Sequence, residues 1–436
     1  MTNKKNMTPV GGFPEYLPEI HAVEQSWTDR IRKVFEASGY APIETVAVER
    51  LDALLAKGET DKEIYTLTRL QAEEDENAKL GLHFDLTIPV ARYVAQNFND
   101  LTFPFKRYQI QKVWRGERPQ VGRYREFRQC DIDVINVDNL PLHFDAEMPE
   151  IVAECLMRLD LPPVTIGIGN RKILDGYLQG LGIEDTVSVI RIIDKLDKIG
   201  FDEVIAELTK APALDPDTAR RAMALTTIKT ADTSFAKAVH AIGVTHPLLD
   251  EGIEELAFVI KELAHLPADA IQADLSIARG FDYYTGTVYE ARFKDFPGAG
   301  AIVAGGRYDN LASQFINKKL PGVGISIGLS RMFGQLLAKN LIAKAQQSPS
   351  QVLVIWPRNA DRECITGTAR ILRARGIRTE CYHAPVKIQR QIAYAEKKGI
   401  PFVWFPPFEP GSMHEVKDMK ARTQSQADIE NWEPSK

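Results

Sequence analysis

The sequence predicts an α+β fold: an antiparallel sheet flanked by helices, interrupted by a helical insertion and followed by a small C-terminal α/β domain. Three patterns carry this expectation. Tyr108–Trp114 and Arg123–Val134 are strand-like runs on either side of a polar turn holding Pro119 and Gly122, which reads as a long antiparallel hairpin. From Glu184 to about Pro267 helical spacing dominates, as at Val189, Ile192, Ile193 and Leu196. Beyond the polar stretch Gln346–Gln351, the runs Val352–Trp356, Ala369–Arg375 and Phe402–Phe405 suggest alternating strands and helices.

The elements follow in order. From Pro18 onward Val23, Trp27, Ile31 and Val34 recur at helical spacing, and Gly39 stands where a left-handed C-terminal cap belongs; an amphipathic helix therefore opens the fold. After the hairpin, the two prolines of Asp160–Val164 precede the helical insertion, set at about 184–267. Strand-like and glycine-rich sequence returns at Ala273–Phe293 and Gly298–Gly306, and Val323–Ile327 runs into the helical Leu329–Lys339. This closes a first module of residues 1–345, and residues 350–436 form the second.

A chain of 436 residues, 44% hydrophobic, buries large cores and exceeds the usual size of one domain. Met1–Gly12 lacks the apolar core of a signal peptide, and no later apolar run approaches the roughly 20 residues of a membrane span, so a cytoplasmic protein without membrane contact is expected. The four cysteines, Cys130, Cys155, Cys364 and Cys381, are far apart with no C-x-x-C pair, which suggests neither zinc nor a disulfide framework. No protein metal site is expected. A formal net charge of -5 argues against a general nucleic-acid coat. From Ser350 to Lys436, however, 14 Lys and Arg face 10 Asp and Glu, a mildly basic tail that fits contact with a polyanion.

The hairpin holds the densest chemistry. Trp114-Arg115-Gly116-Glu117-Arg118-Pro119-Gln120-Val121-Gly122-Arg123-Tyr124-Arg125-Glu126-Phe127-Arg128-Gln129 contains five arginines. Alternation on the returning strand puts Arg123, Arg125, Phe127, Gln129, Asp131 and Asp133 on one face, opposite Tyr124, Cys130, Ile132 and Val134. Guanidinium groups bind phosphate oxygens bidentately, and an aromatic ring stacks on a purine; a nucleotide satisfies both, although a solvated arginine-rich surface is the commoner fate of such a run. No G-x-x-x-x-G-K-[ST] occurs, and Gly322-Val323-Gly324-Ile325-Ser326-Ile327-Gly328 does not follow G-x-G-x-x-G, so ATP needs another kind of site. A glycine-bearing strand leading into a helix whose first turn holds Arg331 lets backbone approach a nucleotide closely.

In order, these segments resemble the three motifs of class II aminoacyl-tRNA synthetases, and the intervening sequence is similar to the histidine-specific family. The opening helix with Gly39-Tyr40-Ala41-Pro42 resembles the dimer-forming first motif, Arg115 to Gln129 the second, and Gly322 to Phe333 the third. Arg279-Gly280-Phe281-Asp282-Tyr283-Tyr284 resembles the family's histidine-binding signature, and Ala304-Gly305-Gly306-Arg307-Tyr308-Asp309 its companion. In the tail, Val386–Gly399 and Glu415–Met419 resemble parts of an anticodon-binding domain.

The resemblance implies an enzyme that activates L-histidine with ATP and transfers it to tRNA(His), working as a homodimer. It implies that Arg115 and Arg279 contact the α-phosphate and are the catalytic pair, Arg279 standing in for a metal ion there, with Mg²⁺ bridging the outer phosphates. Arg123 and Arg331 then hold the outer phosphates, and Phe127 stacks on adenine. Asp85, Thr87, Gln129, Asp133, Tyr283 and Tyr284, with Arg115 and Arg279, enclose histidine, the imidazole falling to Asp133 and Tyr284. The insertion is implied to clamp the acceptor stem.

Two positions depart from the family pattern. Leu82-His83-Phe84-Asp85 replaces the usual L-R-P followed by an acidic residue, and Asp133 stands where a longer glutamate is common. His83 is expected to be a polar loop residue. A catalytically idle relative, the regulatory subunit of ATP phosphoribosyltransferase, would share the fold; it lacks the tail domain and has degraded nucleotide motifs, whereas Arg115, Arg123, Arg279 and Arg331 are all present here. Synthetases of the same class for threonine, proline or glycine carry a similar tail, and Arg279–Tyr284 speaks against them.

Overall fold

The computed structural model describes residues 7–55, 63–71, 79–278, 284–310, 312–313, 315–409 and 411–435. The chain divides into two compact units, one of residues 1–14 and 27–342, the other of 15–26 and 343–436. Both mix helix and sheet, as the α+β expectation requires.

The first unit is built on a nine-stranded sheet in the order Ala41–Pro42, Phe105–Trp114, Glu126–Ile135, Gly322–Ile327, Val303–Tyr308, Tyr284–Phe293, Val164–Asn170, Ile271–Asp274 and Lys229–Thr230. The pairings from Phe105–Trp114 across to Val164–Asn170 are all antiparallel. The hairpin is present, but its regular ladder begins at Glu126 rather than Arg123; the residues between are a loop crossed by one bridge, Gln120 to Arg123. Pairing of Trp114 with Glu126 sets Gln111 opposite Gln129, Gln109 opposite Asp131 and Arg107 opposite Asp133. The polar face is thus continuous across both strands.

The other face of the hairpin is apolar, with Cys130, Ile132 and Val134 fully buried. The helix Leu329–Ala338 packs on the Glu126–Ile135 strand, and Trp27 of the opening helix Pro18–Ala37 meets Phe333 edge-on at 5.3 Å. That helix closes as expected: the Gly39 N–H reaches Glu36 and the Tyr40 N–H reaches Phe35, with Gly39 at φ +80°. A buried ion pair anchors the helix His143–Met157: Asp145 takes Nε and Nη2 of Arg307 at 2.7–3.1 Å and the Thr287 hydroxyl at 2.6 Å. Arg307, within the glycine-rich companion segment, therefore braces the sheet.

Between the strands Val164–Asn170 and Ile271–Asp274 the chain is mainly helical, from Arg171–Gly180 through Thr186–Ile193, Phe201–Lys210, Pro216–Ala222 and Phe235–His240 to Pro247–Glu262. The first and last of these cross with almost no space. A Cβ on Gly176 would lie 2.3 Å from the Leu249 backbone nitrogen, and one on Gly252 2.7 Å from that of Ile173.

The second unit has its own five-stranded sheet, in the order Thr379–Cys381, Val352–Val354, Phe402–Phe405, Glu415–Asp418 and Thr423–Gln426. Its first two pairings are parallel and the others antiparallel. Val352, Val354 and Trp404 pack with Ile365, Ala369 and Leu372 of the helix Arg362–Ala374. Leu353 and Val403 pack on the opposite face with Ala395 and Ile392 of Ile388–Lys398. A sheet covered on both faces needs apolar side chains at successive positions, which is why Val352–Ile355 reads as an unbroken run.

Gly176→Ala drives a methyl group into backbone that cannot swing aside. Overpacking of this kind costs about 1–3 kcal/mol, so the urea midpoint is expected to fall; an unchanged midpoint would show that the two helices separate freely.

Candidate functional site

A broad cleft opens over the polar face of the sheet. Seven of the residues picked out from the sequence line it together: Asp85, Thr87, Arg115, Phe127, Gln129, Tyr284 and Arg331. It continues into a smaller inner pocket through Thr87, Asp131, Tyr284 and Ser326, where Asp133 and Tyr308 join the wall. Arg115 and Arg331 line only the outer part, whereas the inner pocket is lined by two aspartates and, among the described residues, no cation. Arg279 and Tyr283 lie outside the described residues. Arg123 does not line the cleft; it sits in the hairpin loop, 43% exposed, with Nη1 3.2 Å from Glu117 Oε2.

Alternation on Glu126–Ile135 delivers Phe127, Gln129, Asp131 and Asp133 to one face, as the pattern requires. The neighbouring strand then decides how deep each lies. Asp133 pairs across the sheet with Gly324, and a Cβ there would fall 2.0 Å from Asp133 Oδ1; only glycine leaves room for the carboxylate. Both oxygens of Asp133 are engaged, Oδ2 by the wholly buried guanidinium of Arg107 and Oδ1 by the Tyr308 hydroxyl at 2.9 Å.

Asp131 is in a different position. It is also buried, yet Oδ1 has no hydrogen-bond partner among the described residues. Burial raises its pKa to about 7, against the lowering effects of Arg107 and Ser326. Gln129 donates to Ser326 Oγ at 2.7 Å, and its own buried Oε1 has no partner among the described residues. Asp85 accepts the Ile88 N–H at 3.1 Å, capping the helix Thr87–Gln96, while its Oδ2 has no partner among the described residues. Three buried acceptors on the cleft wall are therefore without a partner among the described residues, and such groups are costly unless something donates to them.

At the outer end Arg115 is held twice. Its Nε donates to the Phe84 carbonyl at 3.0 Å, and its guanidinium lies 5.1 Å from the centre of the Phe127 ring. Sequence reasoning missed Asp131, Tyr308 and Ser326 as wall residues, and Arg107 as the buried partner of Asp133. Asp131 was legible, since it lies between Gln129 and Asp133 on the named face, and Arg107 follows from the hairpin register once Trp114 is paired with Glu126. His83 lies in a loop, as expected, but is fully buried there: its ring is 5.5 Å from that of Trp114, tilted by 31°, and shares a 2.8 Å hydrogen bond with the Lys112 carbonyl. Removing its neighbours from water gives the imidazole a structural partner that loop exposure would not.

The family model described as histidyl-tRNA synthetase matches residues 12–332. The chain is 57% identical over 427 residues to the histidine–tRNA ligase of Thermobifida fusca, covering 98% of each chain. It is 45% identical over 439 residues to that of Micrococcus luteus, covering 98% of this chain and 96% of the relative. The crystal structure of histidyl-tRNA synthetase from Nostoc sp. PCC 7120 superposes with a TM-score of 0.86 at 35% identity, covering 97% of each chain.

The raised pKa of Asp131 has a sign. Between the ordinary carboxylate range and about 7 the folded chain holds a proton there that the unfolded chain has lost, so its contribution is full at low pH and fades as pH rises through about 7. Asp131→Asn removes that penalty. Its stability relative to the parent is expected to grow from about pH 4 to about pH 7, by at most roughly 4 kcal/mol at ~1.36 kcal/mol per unit, and then level off. Parallel unfolding curves at every pH would contradict a pKa raised by the burial of Asp131.

Proposed function

The chain belongs to the histidyl-tRNA synthetase family and is a histidine–tRNA ligase, and we propose that the two-part cleft seats histidine in its inner pocket and ATP over its outer, cationic end. The observation that carries this reading is the division of charge: Arg115 and Arg331 line only the outer cleft, and the inner pocket is lined by Asp131 and Asp133 and, among the described residues, by no cation. Histidine brings the matching groups, an ammonium, an imidazole with an N–H to donate, and a carboxylate that faces the other way.

In this reading Asp85 and Gln129, with Thr87 beside them, take the ammonium through their unpaired oxygens. Asp131 accepts the imidazole N–H and the Tyr284 hydroxyl donates to the other ring nitrogen, while Asp133, already held by Arg107 and Tyr308, fixes the depth of the pocket. This moves the principal imidazole contact from Asp133 to Asp131. Tyr283 completes the enclosure on the strength of its motif. A site built around such pairs rejects side chains that cannot donate, because its buried acceptors stay unpaired.

Adenine stacks on the face of Phe127 that Arg115 leaves open. Arg115 and, from its motif, Arg279 stabilise charge on the α-phosphate, while Arg331 and Arg123 hold the outer phosphates; Arg123 must leave Glu117 to do so. ATP enters as its Mg²⁺ complex, the ion riding on the outer phosphates. Among the described residues no three of His, Cys, Asp and Glu converge to hold a metal, and Mg²⁺ bound mainly through phosphates and water needs no such cluster. A histidine carboxylate oxygen attacks the α-phosphorus as the bond to the bridging oxygen of pyrophosphate breaks. A ribose hydroxyl of the 3′-terminal adenosine of tRNA(His) then attacks the carbonyl carbon of the adenylate, and AMP departs.

The catalytic module is residues 1–345, its insertion at about 184–267 meeting the acceptor stem, and residues 350–436 bind the anticodon. The protein works in the cytoplasm as a homodimer. No helix among the described residues is long and apolar enough to cross a membrane.

Pyrophosphate exchange into ATP, run with each of the twenty amino acids and no tRNA, is expected to proceed with histidine alone. Exchange with none, despite histidine binding, would overturn the reading. Loss of one donated hydrogen bond in Tyr284→Phe should raise the histidine KM about tenfold at ~1.4 kcal/mol; an unchanged KM removes Tyr284 from the ring contacts.

A further inference from the structure

The segment Leu82–Asp85 carries a histidine that the chemistry above does not use, and its contacts converge on Arg115. The His83 ring has no exposed surface, and its Nε2 lies 2.8 Å from the Lys112 carbonyl. A carbonyl only accepts, so the proton resides on Nε2. The same residue is held through its backbone: its N–H donates to the Ala47 carbonyl at 3.0 Å, and its carbonyl accepts from the Trp114 N–H at 3.1 Å. Its ring lies against the Trp114 indole at 5.5 Å and 31°. His83 thus ties this loop to Lys112 and Trp114, the end of the strand from which Arg115 emerges.

The next carbonyl along the loop receives the arginine. Phe84 C=O accepts Arg115 Nε at 3.0 Å, and one residue further on Asp85 caps the helix Thr87–Gln96. A guanidinium fixed at Nε keeps both terminal nitrogens free to face a phosphate in one orientation. We propose that His83 is a positioning residue that sets the orientation of Arg115 toward the α-phosphate, by locking the Phe84 carbonyl in place through its ring hydrogen bond to Lys112. This rests on the reading that Arg115 contacts that phosphate.

The ring hydrogen bond separates this role from space filling. Phenylalanine fills the site but leaves the Lys112 carbonyl without its donor, and the loop shifts to recover one. Glutamine reaches far enough to put an N–H near the position of Nε2; asparagine, one bond shorter, does not. In histidine-dependent pyrophosphate exchange, His83→Phe and His83→Asn are expected to lose about tenfold to a hundredfold in kcat, the scale of misplacing a catalytic group by about 1 Å. The histidine KM should stay within about twofold, and His83→Gln should recover most of the rate. If the Phe variant does not fold, the Asn variant makes the same comparison.

Arg115→Lys retains the charge but has no Nε–H, and combining it with His83→Phe tests the route of the effect. The double variant is expected to be no slower than Arg115→Lys alone, since the carbonyl has no guanidinium left to orient. The proposal fails if His83→Phe and His83→Asn keep the parent kcat, if the Gln variant is as slow as they are, or if the two losses multiply. Parent-like exchange by Arg115→Lys alone would instead refute the α-phosphate reading of Arg115.

Discussion

Arg107 has no exposed surface, and the organisation of the cleft depends on how that buried guanidinium is satisfied. An unpaired charge is not tolerated in a protein interior, and removing one member of a buried pair typically costs about 3–5 kcal/mol. Arg107 stands directly opposite Asp133 in the hairpin, so the pair is made by strand register rather than by a flexible reach. From that pairing the neighbours follow. Asp133 projects over the next strand, which must be glycine at position 324, and its second oxygen draws the Tyr308 hydroxyl from the strand beyond. One electrostatic requirement therefore joins four adjacent strands and fixes the floor of the inner pocket.

The same arrangement explains how two aspartates on one strand come to differ. Asp131 and Asp133 share a face, and both are buried. Asp133 has partners for both oxygens; Asp131 retains an unpaired oxygen, and burial lifts its pKa to about 7. Identical side chains are set to different tasks by environment, one as architecture and one as an acceptor awaiting a donor. The cost of leaving Asp131 Oδ1 without a partner among the described residues is borne by the packing of the sheet, a pattern typical of binding sites.

The sequence made the face of the hairpin legible because a strand has a period of two, and Phe127, Gln129 and Asp133 needed nothing more. Arg115, Arg331 and Thr87 were reached through motif resemblance, and they do line one cleft with these residues. What could not be read was anything that depends on a neighbour distant in sequence. Arg107 looks like an ordinary strand cation until its register is known, and His83 looks like a loop residue until Trp114 and Lys112 are seen to enclose it. Arg123 illustrates the opposite error: strict alternation placed it on the binding face, but the ladder stops at Glu126, and beyond it the loop geometry directs Arg123 to Glu117. Periodicity predicts orientation only where pairing holds the strand.

The polarity of the cleft also constrains the order in which its parts must be arranged. A carboxylate substrate group placed among Asp131 and Asp133 would face like charge, whereas the same group near Arg115 meets a fixed cation. In the proposed reading, an amino acid with a hydrogen-bond-donating side chain enters side chain first, its ammonium drawn to Asp85 Oδ2, which has no partner among the described residues, and its carboxylate left pointing outward. That outward direction is where Arg115 is held by Phe84 and Phe127. On the proposed reading, selection and reaction geometry are one problem in this cleft: the acceptors that choose the side chain also turn the carboxylate toward the phosphate it must attack, and a substrate that fails to satisfy the inner pocket loses alignment together with affinity.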